Sequence, residues 1–354
     1  MKHLTALLAL LPLTFIHAGP YPGAAGSTGS DAIPADDPSI IAWATSVAHH
    51  LPGSALALGF GDYPEAGLGW ANGMARDGTP DCGATVSLGR GGQVTVTFPQ
   101  PVADRPGADF AVFENSFDDN FLELAYVEVS ADGTNFVRFP TTSLTQQPVG
   151  PFDPTGVDPT DIDGFAGKHR AGFGTPFDLA DIGLATATHI RLVDTVGGGP
   201  AQDTDSHGNP VNDPYPTDIS SGFDLDAVAV LHTLTPYETW AAETGDLQDP
   251  NADPDRDGAP NLLEFAADTD PQNPSSLPKL TIHPQTLLPV LDLAPLHGGY
   301  DLTVESSPDL ITWSPDTTHN NLRLKIQLSP QVAALLAGHL GSAPFDPCTL
   351  FGAH

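Results

Sequence analysis

Short runs of apolar residues, separated by clusters of Gly, Asp and Ser, recur from about residue 54 to residue 233. Such runs, bounded by polar turn residues, are typical of β-strands. The predicted strands are 55–58, 84–88, 93–98, 109–114, 124–130, 136–139, 189–194 and 223–232. No long helical pattern lies between them. The chain is therefore predicted to be mainly β, with an antiparallel, jelly-roll-like β-sandwich over residues 36–234.

The N-terminal part of the chain is predicted to contain three segments. Residues 1–18 have a short polar start, an apolar run too short to span a bilayer and a small final residue, which together predict a signal peptide and secretion. Residues 19–35 are rich in Gly, Ala, Ser and Pro and predict a flexible leader. Asp36 and Pro38 favour a helix start, and the apolar spacing after them predicts a helix that ends before Pro52.

A second unit is predicted to begin at residue 235. Thr235 and Glu238 have the spacing of a capping box, and Gly245 is a suitable end for the helix that they start. Patterning typical of strands then returns after residue 277. The predicted units are a helix-containing module over 235–276, a small β module over 277–328 and a C-terminal tail over 329–354.

Charge narrows the range of partners. Twelve Lys and Arg residues stand against 44 Asp and Glu residues, so the formal net charge is −32. This argues against nucleic acid and anionic membrane surfaces, and it suits divalent cations. No segment after residue 18 is long and apolar enough to predict a membrane span. Cys82 and Cys348 could pair in an oxidising compartment, and the sequence leaves that question open.

The loop after the second predicted helix matches a twelve-residue calcium-binding loop position by position. Alternate acidic residues at positions 1, 3 and 5 can turn their oxygens onto one point, and Gly258 at position 6 permits the sharp bend. Position 7 supplies a backbone carbonyl, position 9 a side-chain oxygen and position 12 a bidentate carboxylate. The predicted ligands are, in order, Asp253, Asp255, Asp257, Ala259, Asn261 and Glu264.

Six or seven hard oxygen ligands suit Ca²⁺, whereas Mg²⁺ requires a smaller octahedral cage, and zinc would favour His or Cys. Ca²⁺ is therefore the predicted cofactor. Asp249 and Asn251 extend the alternating series upstream, so an overlapping register stays open. The alternative interpretation is a solvated acidic linker.

This segment resembles the calcium repeats of dockerins and thrombospondin type 3 arrays. It is most similar to the single D-x-D-x-D-G-x-x-N-x-x-E module of bacterial secreted surface proteins, over residues 236–276. Thr269-Asp270-Pro271 and Ser275 match the tail that usually follows, and Asp268 stands where Gly is usual. A dockerin needs two loops to bind a cohesin, and the sequence contains one, so cohesin is not an expected partner.

The predicted sandwich carries resemblances of its own. Segments 109–115, 123–130, 193–195 and 222–228 resemble an uncharacterised domain of bacterial cell-surface and PEP-CTERM-type secreted proteins. The hairpin sequence VEVSADGTNF at 127–136 is similar to discoidin-like, galactose-binding sandwiches. These resemblances imply a binding module, often with a structural calcium ion. An extracellular polysaccharide or a surface protein would be its partner.

A second calcium site is predicted from Glu114, Asp226 and Asp194, because carboxylates at the ends of apolar strands need partners when buried. Hydrogen bonds from these acids to loop amides are an equally good interpretation. The Asp-rich segments 161–164 and 203–209 could also hold ions, although turns are the favoured interpretation.

A catalytic function is the rival hypothesis. Glu114 and Glu123 could form a glycoside-hydrolase pair, or the chain could be the accessory binding module of such an enzyme. No G-x-S-x-G or H-E-x-x-H motif is present. The sequence therefore favours a secreted, non-catalytic, calcium-binding surface or matrix protein, with calcium stiffening the segment between its two β modules.

Overall fold

A computed structural model describes residues 19–71, 85–153, 156–245, 247 and 249–277 in full, together with the backbone of five further strands between 280 and 350. The chain divides into two compact units: Met1–Asp104 with Ala108–Leu231, and Arg105–Gly107 with His232–His354. The predicted signal peptide, Cys82 and Cys348 lie outside the described residues. No helix in the described part of the chain is long and apolar enough to cross a membrane.

The first unit is mainly β, and its paired strands are antiparallel. Its strands are β1 (Ile33–Pro34), β2 (Ala42–Trp43), β3 (Ser46–Leu51), β4 (Val86–Ser87), β5 (Gln93–Ala103), β6 (Phe110–Glu114), β7 (Ala125–Ser130), β8 (Val137–Arg138), β9 (Thr142–Ser143), β10 (Ile162–Asp163), β11 (Phe165–Ala166), β12 (Phe173–Phe177), β13 (Thr186–Asp194) and β14 (Asp224–Val230). Three 3-10 helices lie at Pro64–Gly67, Pro159–Asp161 and Leu179–Ile182.

Two six-stranded sheets make up most of this unit. The first has the order β1-β12-β6-β14-β2, with β4 also paired to β14, and the second has the order β11-β7-β13-β5-β3, with β8 also paired to β7. Strands β9 and β10 form a separate pair. Strands from both sheets contribute to one buried apolar cluster, in which the Phe110 ring stacks on Phe177 with centroids 5.2 Å apart. Burial of these side chains from water is the main stabilising contribution of the core.

The helix predicted after Asp36 and Pro38 is wrong. This segment instead forms β2 and β3, which pair with β14 and β5 respectively. A helix of this length depends on packing an apolar face, and Ile41, one of the predicted apolar positions, is 56% exposed. Strand β3 pairs along one edge with β5, and β2 pairs with β14, so tertiary contacts override the local capping signal.

The flexible leader predicted over 19–35 is also corrected, because these residues pack against the first unit. Strand β1 pairs with β12, and the Gly19 N–H donates to the Thr160 hydroxyl. The Asp31 carboxylate accepts a 2.9 Å hydrogen bond from the His169 ring, and the buried Lys168 ammonium lies 3.8 Å from it. A segment rich in Gly and Pro can still be ordered where the fold supplies specific polar contacts of this kind.

Most predicted strands of the first unit coincide with observed strands. The exception is 55–58, where Leu56 makes only isolated bridges. Four strands, β9 to β12, lie in the region 140–188, where no strand was predicted. These strands are two to five residues long, too short to give a recognisable alternating pattern.

The second unit contains two short helices and several strands. The helices are α1 (Pro236–Thr244) and α2 (Asn261–Ala267), and the strands are β15 (Leu280–Ile282), β16 (Pro289–Leu291), β17 (Tyr300–Ser307), β18 (Asn321–Leu328) and β19 (Thr349–Leu350). Strand β15 pairs with β16, and β17, β18 and β19 form an antiparallel sheet. The capping box predicted from Thr235 and Glu238 is present, since each residue's side chain bonds the other's backbone N–H.

The Asp31 contact gives a test of the N-terminal packing. Burial alone would raise the pKa of Asp31, but the His169 hydrogen bond and the Lys168 charge lower it below the ordinary value. A lowered pKa contributes stability that is fully present above about pH 4 and is lost as the pH falls through the folded-state pKa. Asp31→Asn should therefore lower the free energy of unfolding by about 1 kcal/mol at pH 7, since Asp31 is partly exposed.

Denaturant unfolding at a series of pH values between 7 and 3 measures this effect, and the difference between wild type and variant should shrink at the acid end. Asp36→Asn is the matched control, because Asp36 is exposed on the same segment. Equal stabilities of wild type and Asp31→Asn at pH 7 would show that the Asp31 contacts with His169 and Lys168 do not stabilise the packing of this segment.

Candidate metal centre

The loop between α1 and α2 bends sharply at its middle. Gly258 has φ of +96°, a conformation that side-chain-bearing residues rarely adopt, and Arg256 has φ of +63°. These bends turn alternate side chains of the loop toward a common point. Carboxylate oxygens of Asp253, Asp255 and Asp257 consequently lie within 4.8 Å of one another.

Each of these three aspartates uses one oxygen to hold the loop. The Gly258 N–H donates to Asp253 Oδ2 at 3.0 Å, the Asp257 N–H to Asp255 Oδ1 at 3.2 Å, and the Ala259 N–H to Asp257 Oδ1 at 2.8 Å. The other oxygen of each carboxylate is buried and has no hydrogen-bond partner among the described residues. Each aspartate side chain is thus fixed by a hydrogen bond to one carboxylate oxygen, and its other oxygen is available to a ligand.

Helix α2 supplies two further oxygens of the same kind. Asn261 and Glu264 are buried, at 1% and 0% exposure. The Asn261 amide donates from Nδ2 to the Asp249 carbonyl at 2.8 Å, and Glu264 Oε1 accepts from the Thr269 hydroxyl at 3.2 Å. Within the described chain, Asn261 Oδ1 and Glu264 Oε2 have no hydrogen-bond partner. Five of the six predicted ligand positions therefore present one buried side-chain oxygen each.

The remaining positions have supporting contacts. Ala259, the predicted backbone ligand, is buried, and its N–H holds Asp257 as described above. Asp249, part of the alternative register, accepts the Asn251 N–H at 2.9 Å and anchors Asn261 through its carbonyl. These contacts place Asp249 at the edge of the loop as a support for Asn261.

Burial and clustering oppose ionisation of Glu264 and Asp255. Burial, together with the charges of Asp255, Asp257 and Asp253, raises the pKa of Glu264 to about 7, against the opposing hydrogen bond from Thr269. The pKa of Asp255 is raised by desolvation and by neighbouring aspartates. A cation bound among these oxygens would relieve both effects.

Aromatic packing fixes the helix that carries Glu264. The Phe265 ring contacts Tyr237 and Trp240, with centroids 5.5 and 5.6 Å away, and the Tyr237 hydroxyl donates to the Leu247 carbonyl at 2.9 Å. Asp268 directly follows the last residue of α2 and adopts the left-handed conformation, with φ of +53°. This explains why Asp can stand where Gly is usual, because Asp tolerates that conformation better than most residues.

A second acidic group lies in the first unit, and its membership differs from the prediction. Glu114 at the end of β6, Glu123 before β7 and Asp224 at the start of β14 have carboxylate oxygens within 4.8 Å of one another. Neither Asp226 nor Asp194 belongs to this group. The register of β14 against β6 shifts between Leu225 and Ala227, which is the position of Asp226, the residue that the prediction used.

Asp194 follows the alternative interpretation, in which loop amides hold the acid. Its Oδ2 accepts the Gly91 N–H at 2.8 Å, and its Oδ1 accepts the Phe223 N–H at 2.7 Å. Asp213, which the sequence did not single out, accepts from the Leu124 N–H and the Thr195 hydroxyl. Both acids line a small cleft together with Glu123, Arg90 and Tyr215.

These buried acids affect one another electrostatically. Burial and the charge of Asp224 raise the pKa of Glu114 well above its usual range, and burial with Asp224 and Glu114 does the same for Glu123. Burial raises the pKa of Asp224 to about 7, although a hydrogen bond from Ser87 lowers it. Burial also raises the pKa of Asp213 to about 7. The sequence contained a signal for Glu123. It lies between Leu122 and Leu124, which are both buried, and an acid flanked by buried leucines is itself expected to be buried.

The Asp-rich segment 203–209 forms a turn, whereas Ile162–Asp163 within 161–164 forms strand β10. Asp205, within 203–209, accepts N–H groups from Ser143, His207 and Asn209. A third acidic group, of Asp104, Asp109 and Asp178, includes the cap of a 3-10 helix, where Asp178 accepts the Ala180 N–H. Such acids stabilise the local backbone by accepting hydrogen bonds from its N–H groups, so an ion is not needed to explain them.

No protein-family model matches this chain, and no curated protein has a matching sequence. The motif resemblances and the geometry of the two acidic groups are accordingly the observations from which a function can be proposed.

Repulsion among the loop acids gives a prediction for the cation-free protein. In chelator, Asp255→Asn should leave the melting temperature unchanged or raise it slightly, because the substitution removes one of three like charges and keeps the side-chain shape. In millimolar Ca²⁺ the same variant should melt below wild type. Differential scanning calorimetry under both conditions measures the reversal, and a variant less stable than wild type in chelator would contradict it.

Proposed function

We propose that this protein is a secreted, non-catalytic, calcium-binding surface or matrix protein in which 235–276 forms a helix–calcium loop–helix. The observation that carries the proposal is the set of five buried oxygens, one each from Asp253, Asp255, Asp257, Asn261 and Glu264, without hydrogen-bond partners in the described chain. Buried polar atoms are normally satisfied, so five such oxygens from one loop and the helix that follows it favour a cation. The three aspartates have carboxylate oxygens within 4.8 Å of one another, and Glu264 does not belong to that group. Secretion is proposed from the signal-peptide pattern of residues 1–18.

The donor set favours Ca²⁺ over other common cations. All donors are oxygens, four of them carboxylates, and the Ala259 carbonyl would complete a six-residue set. A dissociation constant of about 10⁻⁴ to 10⁻³ M is expected for an extracellular module of this type. Calcium would let the closely spaced carboxylates coexist and so stiffen the segment that, in sequence, connects the first unit to strands β15–β19.

Calcium should therefore raise the melting temperature of the second unit, and Asp255→Ala should abolish that increase. Trp240 provides a local signal, because its ring contacts Phe265 in the helix that carries Glu264. We expect a calcium-dependent change in tryptophan fluorescence that Trp240→Phe removes.

Glu243→Gln is the control for charge alone, because Glu243 is exposed on α1 and does not belong to the loop. It should retain the full calcium response. Melting and fluorescence that are indifferent to both calcium and chelator in the wild-type protein would refute the proposed calcium loop.

For the first unit we propose a jelly-roll-like β-sandwich that binds an extracellular polysaccharide or a surface protein. Three phenylalanine rings support a binding role: Phe117 stacks on Phe121 at 4.6 Å, and Phe121 stacks on Phe152 at 6.2 Å. Phe117 is 62% exposed and Phe152 is 81% exposed. Exposed apolar groups gathered in one place are typical of interaction sites.

The geometry of Glu114 and Glu123 gives little support to the rival glycoside-hydrolase function. Their nearest carboxylate oxygens lie within 4.8 Å, and the residues are only 2% and 5% exposed. Glycosidase pairs need an accessible bond between carboxyl groups about 5–10 Å apart. Cohesin binding is likewise not proposed, because the calcium loop is a single repeat in this sequence.

Glycan-array binding tests the proposed ligand class. If the exposed rings form the binding surface, Phe117→Ala combined with Phe152→Ala should reduce binding at least tenfold, because apolar contact area is lost. Leu58→Ala is the control, since Leu58 is 89% exposed and equally apolar. Undiminished glycan binding by the double variant would exclude these rings, and no binding to any glycan would leave a surface protein as the partner class.

A further inference from the structure

The acidic group of Glu114, Glu123 and Asp224 combines closeness with burial. Three carboxylate oxygens lie within 4.8 Å of one another, and the residues are 2%, 5% and 7% exposed. Burial removes the water that would screen their repulsion, so this arrangement is unfavourable unless something positive lies between them.

Unsatisfied oxygens provide a second, independent observation. Glu123 Oε1 and Asp224 Oδ1 are buried and, among the described residues, have no hydrogen-bond partner. Glu114 is oriented by its Oε2, which accepts the Ser116 N–H at 2.7 Å, and a Ser87 hydrogen bond supports Asp224. Glu114 is thus held by a backbone N–H, Asp224 combines one supported interaction with one unpartnered oxygen, and Glu123 presents an unpartnered oxygen. Such a mixture of held and unpartnered oxygens is expected of a ligand set.

No Lys or Arg side chain among the described residues forms an ion pair with these three acids. The ion pairs formed by the described Lys and Arg residues involve Glu238, Glu128, Asp31, Asp163 and Asp119, and none includes the three acids. Arg90 lines the same cleft as Glu123, but its guanidinium donates to the Thr217 carbonyl and lies 4.7 Å from the Tyr215 ring centre. Compensation from a basic side chain is therefore not part of this group.

Shared protons are the other way to neutralise clustered carboxylates. A protonated carboxyl group that is buried needs an acceptor for its O–H, as in carboxyl pairs that share one proton. Glu123 Oε1 and Asp224 Oδ1 have no hydrogen-bond partner in the described chain, so these two atoms do not share a proton with each other. In contrast, one oxygen from each of the three carboxylates lies at most 4.8 Å from the other two, which is about twice the 2.3–2.6 Å distance between Ca²⁺ and an oxygen ligand. A Ca²⁺ ion placed between them could therefore contact them.

We propose that Glu114, Glu123 and Asp224 bind a divalent cation of the Ca²⁺ class in the first unit, as a site independent of the loop at 253–264. The cation joins β6 and β14, two strands of the first sheet, to the segment that leads into β7 of the second sheet. Glu123 also lines the cleft with Asp194 and Asp213, so the cleft gives the ion an entry path.

Metal counting on the purified full chain tests this proposal. After equilibrium dialysis against Ca²⁺, elemental analysis should find two ions per wild-type chain and one ion in Asp255→Ala. Glu123→Gln should also hold one ion, and the double variant none. Thermal melting should show one calcium-dependent stabilisation lost in each single variant.

Circular dichroism establishes that each variant is folded, and Asp224→Asn replaces Glu123→Gln if the latter does not fold. Asp36→Asn, which removes an exposed carboxylate from the same unit, should keep both ions. A wild-type chain with one ion that Asp255→Ala loses would overturn the second site while leaving the loop intact. One ion that survives Asp255→Ala and disappears in Glu123→Gln would support this site and refute the loop.

Discussion

Carboxylates that lie within a few ångströms of one another repel, and burial strengthens that repulsion by excluding the solvent that screens it. A chain with a formal charge of −32 meets this constraint wherever its fold brings acids together. The constraint is sharpest in the loop at 253–264 and in the group of Glu114, Glu123 and Asp224, where oxygens converge without partners. Local order in both units depends on how that repulsion is offset.

Backbone amides offset the repulsion at many other acids. The two oxygens of Asp132 accept from Thr134 and Asn135, and these hydrogen bonds lower the pKa of Asp132. For Asp205, burial raises the pKa, but hydrogen bonds from Ser143 and Asn209 more than compensate. In these turns every carboxylate oxygen has a donor. The side-chain ligands proposed in the loop at 253–264 differ, because each is held by one hydrogen bond and has one buried oxygen without a partner among the described residues. Glu123 and Asp224 in the first unit also have such an oxygen.

Helices and strands that are packed into the fold position the acids proposed as metal ligands. Glu264 lies on α2, which packs through Phe265 on the aromatic rings of α1. Glu114 and Asp224 terminate adjacent paired strands whose apolar residues enter the shared core of the first unit. Oxygens supported in this way cannot easily turn away from one another. Preorganisation of this type lowers the conformational entropy that binding an ion would otherwise cost.

The sequence by itself determined the mainly β character, most strands of the first unit and the capping box at Thr235, and it placed Asp253, Asp255 and Asp257 in one acidic group. These features are local: alternation, capping and ligand spacing are set by neighbours within about a dozen residues. Tertiary structure alone decided that residues 40–51 form strands, that residues 19–35 are packed, and that Glu114 meets Glu123 and Asp224 instead of Asp226 and Asp194. Those outcomes depend on pairing between distant strands and on an irregular register in β14, and neither leaves a periodic signal in the sequence.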